Sequence, residues 1–157
     1  MKMIKFSTKF LTLLMLLSFT TITTTASAAT AEEEVQALLM DVFDAMRAGD
    51  AEKLRTLILS DTALDRIAPD KAVDRGQSED WIGWVDTLNP GQADEQIFDV
   101  EIKVEGPLAT AWAPFTIAID GELKSCGVNH FTLVKHEDGW KVAYLIDTHT
   151  PEKCLPQ

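Results

Sequence analysis

The chain has 157 residues, 46% of them hydrophobic, with 25 acidic against 14 basic side chains and a net charge of −11. An acidic chain without a basic stripe makes a poor nucleic-acid binder, because phosphate contacts need Lys and Arg, and anionic membrane surfaces repel it. Its length suits one domain with one core.

Residues 1–28 read as a secretory signal peptide. Lys2, Lys5 and Lys9 make a basic start, Phe10 to Phe19 is an apolar run, and Ala26-Ser27-Ala28 is an A-x-A cleavage pattern, with Ala29 as second choice. The run is too short to span a bilayer, which needs about 20 residues. Export to the periplasm is the first expectation and release to the medium the second. Cleavage removes three lysines and no acids, so residues 29–157 carry 11 basic against 25 acidic side chains, a net charge of −14.

Thr30 to Glu33 is a capping box. Behind it Val35, Leu38, Leu39, Val42, Phe43 and Met46 make one apolar helical stripe. Gly49 is a natural stop. Asp50 can cap a second helix with Leu54, Leu57 and Ile58 facing inward. Leu64 to Ile67 allows a short strand, and an exposed charged loop runs from Pro69 to Gly76. Ser78 is placed to cap a third helix, with Trp81, Trp84, Val85 and Leu88 on one face. Asn89-Pro90-Gly91 ends it.

After Gln96 the apolar period changes to two: Phe98, Val100, Ile102 and Val104 alternate with charged residues, as in a half-buried strand. Leu108 to Ile119 is a second strand. Asp120-Gly121 is a two-residue hairpin turn. Strands over Glu122–Lys135 and Trp140–Thr148 follow, joined by HEDG. Helices followed by an antiparallel meander predict an α+β fold, helices packed on one face of a curved sheet.

Regular pairing through HEDG sets Leu133 opposite Val142, Phe131 opposite Tyr144 and Asn129 opposite Ile146. Carried through Asp120-Gly121, it sets Trp112 opposite Asn129, with Thr116 on the same face. A one-residue slip reverses these faces, and Pro114 is a position for a bulge. The helix-facing side then holds Trp112, Thr116, Asn129 and Tyr144, closed by Phe43, Trp81 and Trp84. An apolar hollow with sparse polar groups suits a small apolar or aromatic ligand; the same aromatics also serve as plain core. On this register His130, Asp147 and His149 fall on the outer face, with Val128, Val134, Ala143, Leu145, Phe115 and Ile117. That face is too apolar for water, so a homodimer through it is expected, with the C-terminal tail held back by Cys154 as the alternative cover.

The two cysteines of an exported chain suggest one disulfide, Cys126–Cys154. Two free thiols or a bond between chains are the alternatives. Two cysteines and three scattered histidines show no zinc spacing, so neither metal nor cofactor is expected.

The segments VFDAMRAGDAEKLRTLI, VEGPLATAWAPFTIAIDG and CGVNHFTLVKHEDGWKV, with a cysteine past the last strand, resemble the nuclear transport factor 2-like superfamily, also called cystatin-like. Within it they are similar to an exported branch named for lumazine binding. The resemblance spans about residues 31–154 and implies a cone of helices over a curved sheet. The superfamily holds isomerases, dehydratases and cyclases as well as binding and dimerisation modules, so fold alone does not choose. Its enzymes place Asp, His or Arg–Asp sets inside the cone. In similar chains a histidine precedes the first cysteine; here Ser125 stands there.

The first expectation is an exported, non-catalytic small-molecule-binding domain. An isomerase, dehydratase or cyclase would need a base within about 3 Å of the substrate proton. Asp147 or His149, with Tyr144 as donor, are the candidates, and they reach the cone only if the register slips by one. A protein-interaction module using the outer face is the third reading.

Overall fold

The computed structural model describes residues 29–154. The expected signal peptide, residues 1–28, lies outside the described residues. Helices α1 (Ala31–Ala48) and α2 (Ala51–Leu57) lead into strand β1 (Ile58–Ile67), then helix α3 (Ser78–Val85). Strands β2 (Ala93–Ile97), β3 (Glu101–Glu105), β4 (Leu108–Ile119), β5 (Glu122–His136) and β6 (Gly139–His149) follow, with a 3-10 turn at Pro151–Lys153. The sheet order is β1-β6-β5-β4-β2, with β3 also on β4. β1 runs parallel to β6, and the other pairs are antiparallel. This is the expected α+β cone.

Local chemistry explains the helices. The Thr30 hydroxyl accepts from the Glu33 N–H at 3.2 Å, and the Glu33 carboxylate accepts from the Thr30 N–H at 2.7 Å. Gly49 stops α1 at φ +70°, and a Cβ there would lie 2.8 Å from the Leu88 carbonyl. The Asp50 carboxylate accepts from the Lys53 N–H at 2.8 Å and starts α2. Ser78 departs from expectation: it is already the first helical residue, and Gln77 before it makes no side-chain cap bond.

The stripe of α1 packs on the sheet. Val35, Leu39 and Met46 are fully buried, and the Phe43 ring meets the Phe131 ring edge-on at 6.1 Å. Small inward residues Ala109, Ala111 and Ala113 on β4 leave room for these side chains. Each buried Leu or Phe contributes about 1.5–3 kcal/mol, so this face outweighs the caps, worth about 1 kcal/mol each.

The register differs from regular pairing at two bulges. Between Ile117↔Ser125 and Ala118↔Leu123, Lys124 is an extra residue on β5. Between Thr132↔Tyr144 and Leu133↔Val142, Ala143 is an extra residue on β6. Each bulge moves what lies beyond it by one position. Trp112 therefore pairs with His130, not Asn129, and Asn129 pairs with Asp147, not Ile146. Phe131 pairs with Leu145 instead of Tyr144.

The faces change accordingly. Trp112, Thr116 and Tyr144 leave the inner face. Phe115, Ile117, Leu145, Asp147 and His149 join it. The outer-face expectation for Asp147 and His149 is thereby corrected, whereas His130 stays outside. Pro114 does mark an irregularity, on a neighbouring strand: residues 98–100 separate β2 from β3 opposite residues 113–114. The Phe98 N–H donates to the Pro114 carbonyl at 3.0 Å, so the prolyl nitrogen, which has no N–H, also faces this break.

Residues 73–77 lie along the free edge of β1, with Arg66 and Asp74 exchanging backbone hydrogen bonds of 2.8 Å. A Cβ on Gly76 would stand 2.7 Å from the Leu64 carbonyl, so glycine permits this approach.

Candidate functional site

β2 enters the site at a position the sequence conceals. Ala93, Glu95 and Ile97 alternate inward, which puts a carboxylate against the sheet. Glu95 is 9% exposed and accepts from the Asn129 amide at 2.7 Å. Burial raises the Glu95 carboxyl to about 7, against the lowering effect of the Asn129 hydrogen bond. Asn129 is thereby satisfied within the fold, at 4% exposure.

Asn129 sits beside Asp147 on β6, and Asp147 sits beside Arg66 on β1. The Arg66 guanidinium donates to Asp147 from Nε at 2.9 Å and from Nη2 at 2.7 Å. Burial pushes the Asp147 carboxyl up, but hydrogen bonds from His149 and Arg66 outweigh it, and the net shift is down. His149 Nε2 lies 3.5 Å from Asp147 Oδ2. On its other side, His149 Nδ1 lies 3.1 Å from the Ser125 hydroxyl.

One row explains the position of His149. Phe115, Gly127 and His149 lie side by side across β4, β5 and β6. Gly127 has no side chain, so the Phe115 and His149 rings meet at 5.3 Å.

Part of this set lines a cleft of about 680 Å³, of ligand size. Arg66, Glu95, Ser125 and His149 lie along it, with Trp81 and Trp84 from α3 and Ile117 and Ile119 from β4. Beneath it, Glu95, Asn129, Asp147 and Phe43 border a recess of about 30 Å³, room for one or two waters.

Six expected residues are gathered around the cleft and recess: Phe43, Trp81, Trp84 and Asn129 as ligand contacts, and Asp147 and His149 as acid–base candidates. Tyr144 is not among them; its hydroxyl donates to Asp65 at 2.9 Å behind the sheet. Trp112 is 49% exposed on the outer face, its ring 6.2 Å from that of His130. Thr116 pairs with Cys126 on that same face. The Cys126–Cys154 disulfide forms as expected. It ties down the Pro151 turn, and Pro151 also lines the cleft. Glu95, Arg66 and Ser125 were not anticipated. The alternation of Ala93, Glu95 and Ile97 is the one sequence signal for the first of them.

The family model described as Putative lumazine-binding matches residues 30–144. Among solved structures, a nuclear transport factor 2-like protein of unknown function from Shewanella baltica is 18% identical, with TM-score 0.60, covering 80% of this chain and 99% of that one. A putative dehydratase of the same fold family from Streptomyces avermitilis is 19% identical, with TM-score 0.57, covering 76% and 96%. The CaMKII hub of S. rosetta is 16% identical, with TM-score 0.62, covering 80% and 100%. These likenesses show the fold alone. No curated protein sequence matches. The matched segment places the chain in the Putative lumazine-binding family, and its cone is the fold of nuclear transport factor 2-like proteins.

Proposed function

We propose that the protein is an exported small-molecule-binding protein whose ligand occupies the cone cleft. The observation that carries this reading is a buried Glu95–Asn129 pair at the base of a cleft of about 680 Å³. An apolar or aromatic body fits against Trp81, Trp84 and Ile117. A polar atom on it would meet Glu95, which near neutral pH serves as donor or acceptor. The family description supports a small ligand without supplying its identity.

Export rests on the leader, whose removal would start the chain at Ala29. Assembly with a second copy rests on Leu108 and Trp112, 47% and 49% exposed on the outer face. A Trp112→Glu variant is expected to sediment as a monomer where the parent sediments as a dimer.

The test is native mass spectrometry of protein extracted without reducing agent from the exporting host, before and after denaturation. A small mass lost on denaturation, and missing from Trp81→Ala, is the expected result. Bare protein, with no thermal shift from a panel of planar aromatic acids and amides, would overturn the reading.

A second reading is favoured by one observation. A carboxyl held at about 7 inside a cavity suits a general acid or base at neutral pH. An isomerase, dehydratase or cyclase of this fold would use Glu95 in that role, in place of the expected bases Asp147 and His149.

A further inference from the structure

We propose that Ser125, His149 and Asp147 form a nucleophilic relay on the cleft wall, which takes the acyl group from carboxylic esters of apolar or aromatic alcohols. The proposal rests on the cleft being a ligand site, but it engages a different group from Glu95.

The geometry is a chain of fixed contacts. The Ser125 hydroxyl is 3.1 Å from His149 Nδ1, shorter than its 3.4 Å alternative to the Cys126 carbonyl. His149 Nε2 faces Asp147 Oδ2 at 3.5 Å. Arg66 holds that carboxylate by two nitrogens. The Phe115 ring limits how the imidazole can turn. Nucleophile, base and orienting carboxylate are recognised by such roles and not by order in the chain. Here the serine addresses Nδ1 and the carboxylate Nε2. In the tautomer with its proton on Nε2, 3.5 Å from Asp147 Oδ2, the ring offers the Nδ1 lone pair to the serine proton. Asp147, its carboxyl below the ordinary value, is ionised at neutral pH and stabilises the imidazolium.

Access also fits. Ser125 and His149 both line the open cleft, beside Trp84. Arg66 and Lys124 lie along the same cleft, paired there with Asp147 and Glu122.

The steps balance without an oxidant or reductant. Ser125 Oγ bonds to the ester carbonyl carbon as its proton passes to His149 Nδ1. The carbon–oxygen bond to the alcohol breaks, and the alcohol leaves with that proton. Water then adds to the acyl-serine, gives its proton to Nδ1, and the Ser125–acyl bond breaks. The serine regains the proton, and the products are the alcohol and the carboxylic acid.

The experiment uses the disulfide-bonded exported chain and 4-nitrophenyl acetate. A burst of nitrophenol with an acetyl group on Ser125, located by peptide mass spectrometry, is expected. Ser125→Ala should remove the adduct, and His149→Gln should slow its formation by about 100-fold or more. His136→Gln, at the far end of β5, should leave it unchanged. Melting temperatures of Ser125→Ala and His149→Gln near the parent's exclude unfolding as the cause. Acetylation only at lysines, or equal rates in parent and Ser125→Ala, would overturn the relay. Ligand co-purification without acylation would sink the relay alone; acylation of a chain that comes bare and shows no thermal shift from the panel would sink the binding reading alone.

Discussion

Arg66 and Asp147 are opposite partners in the parallel pairing of β1 and β6, and the guanidinium grips the carboxylate with Nη2 at 2.7 Å. The two ends differ in exposure: the Asp147 side chain is 5% exposed and that of Arg66 45%. Removing the arginine strands a buried charge, whereas neutralising the aspartate leaves a guanidinium that water can reach. Arg66→Met is therefore expected to cost about 2–3 kcal/mol, reduced from the fully buried case by the exposure of Arg66. Asp147→Asn should cost less. Urea midpoints of the two variants check the order, and an equal or reversed order would refute it. The acid limb gives a second check. Asp147 is held below its ordinary value in the fold, so the pair stabilises above pH ~4. That contribution is lost as the pH falls through the folded value. Arg66→Met should move this loss to higher pH.

Glu95 has the opposite sign. Its carboxyl is raised by burial to about 7 in the fold, against about 4.3 in the unfolded chain. Between those values the folded state holds a proton that the unfolded state has released. Stability therefore falls as the pH rises from about 4.5 to 7 and is level above that. The fall is on the order of 3 kcal/mol. Glu95→Gln, which keeps the shape and an acceptor for Asn129, should flatten the decline and be more stable than the parent at pH 8. Melting temperatures across this range decide it. A parent curve already flat would show that Glu95 stays ionised.

The contrast between these two acids shows what was legible in the sequence. The helices, the Asp120-Gly121 turn and the span of the long strands follow from period, caps and turn chemistry. Asp120 and Gly121 both take the positive φ that such a hairpin requires, 51° and 77°. The site was not legible in the same way, because bulges at Lys124 and Ala143 carry no glycine or proline to announce them. Two extra residues are enough to exchange Tyr144 for Asp147 and Trp112 for Ala113 on the inner face. Glu95 was hidden for another reason: a charged residue in ADEQI reads as exposed, and only tertiary packing buries it. The sequence criterion that enzyme candidates need a one-residue slip is met by the bulge at Ala143.

Gly127 should not tolerate even alanine. A Cβ there would stand 1.7 Å from the Thr148 carbonyl oxygen and 3.0 Å from the Phe115 ring. The first neighbour is backbone of a paired strand, so relief requires β5 and β6 to part. Gly127→Ala is expected to destabilise by about 3 kcal/mol or more, read as a lowered urea midpoint. A midpoint near the parent's would mean that the two strands separate more easily than their pairing implies.

The disulfide joins fold to cleft. Its loop spans 28 residues, and closing it should stabilise by about 3–4 kcal/mol in the chain-entropy model. The double variant Cys126→Ser, Cys154→Ser is expected to lose that much. The consequence for the cleft is local. Thr150 donates from its backbone N–H to the Cys126 carbonyl at 2.8 Å, one residue from His149 and one from Ser125. Cys154 holds the turn that follows and so keeps Pro151 at the cleft edge. Without the bond the turn keeps its tie to β5 through Thr150 but loses the covalent one, so the His149–Ser125 contact should loosen while the Glu95–Asn129 pair stays. Amide exchange should rise at residues 149–154 far more than at residues 93–97. Equal protection at both segments would show that the strand pairing alone secures the cleft wall.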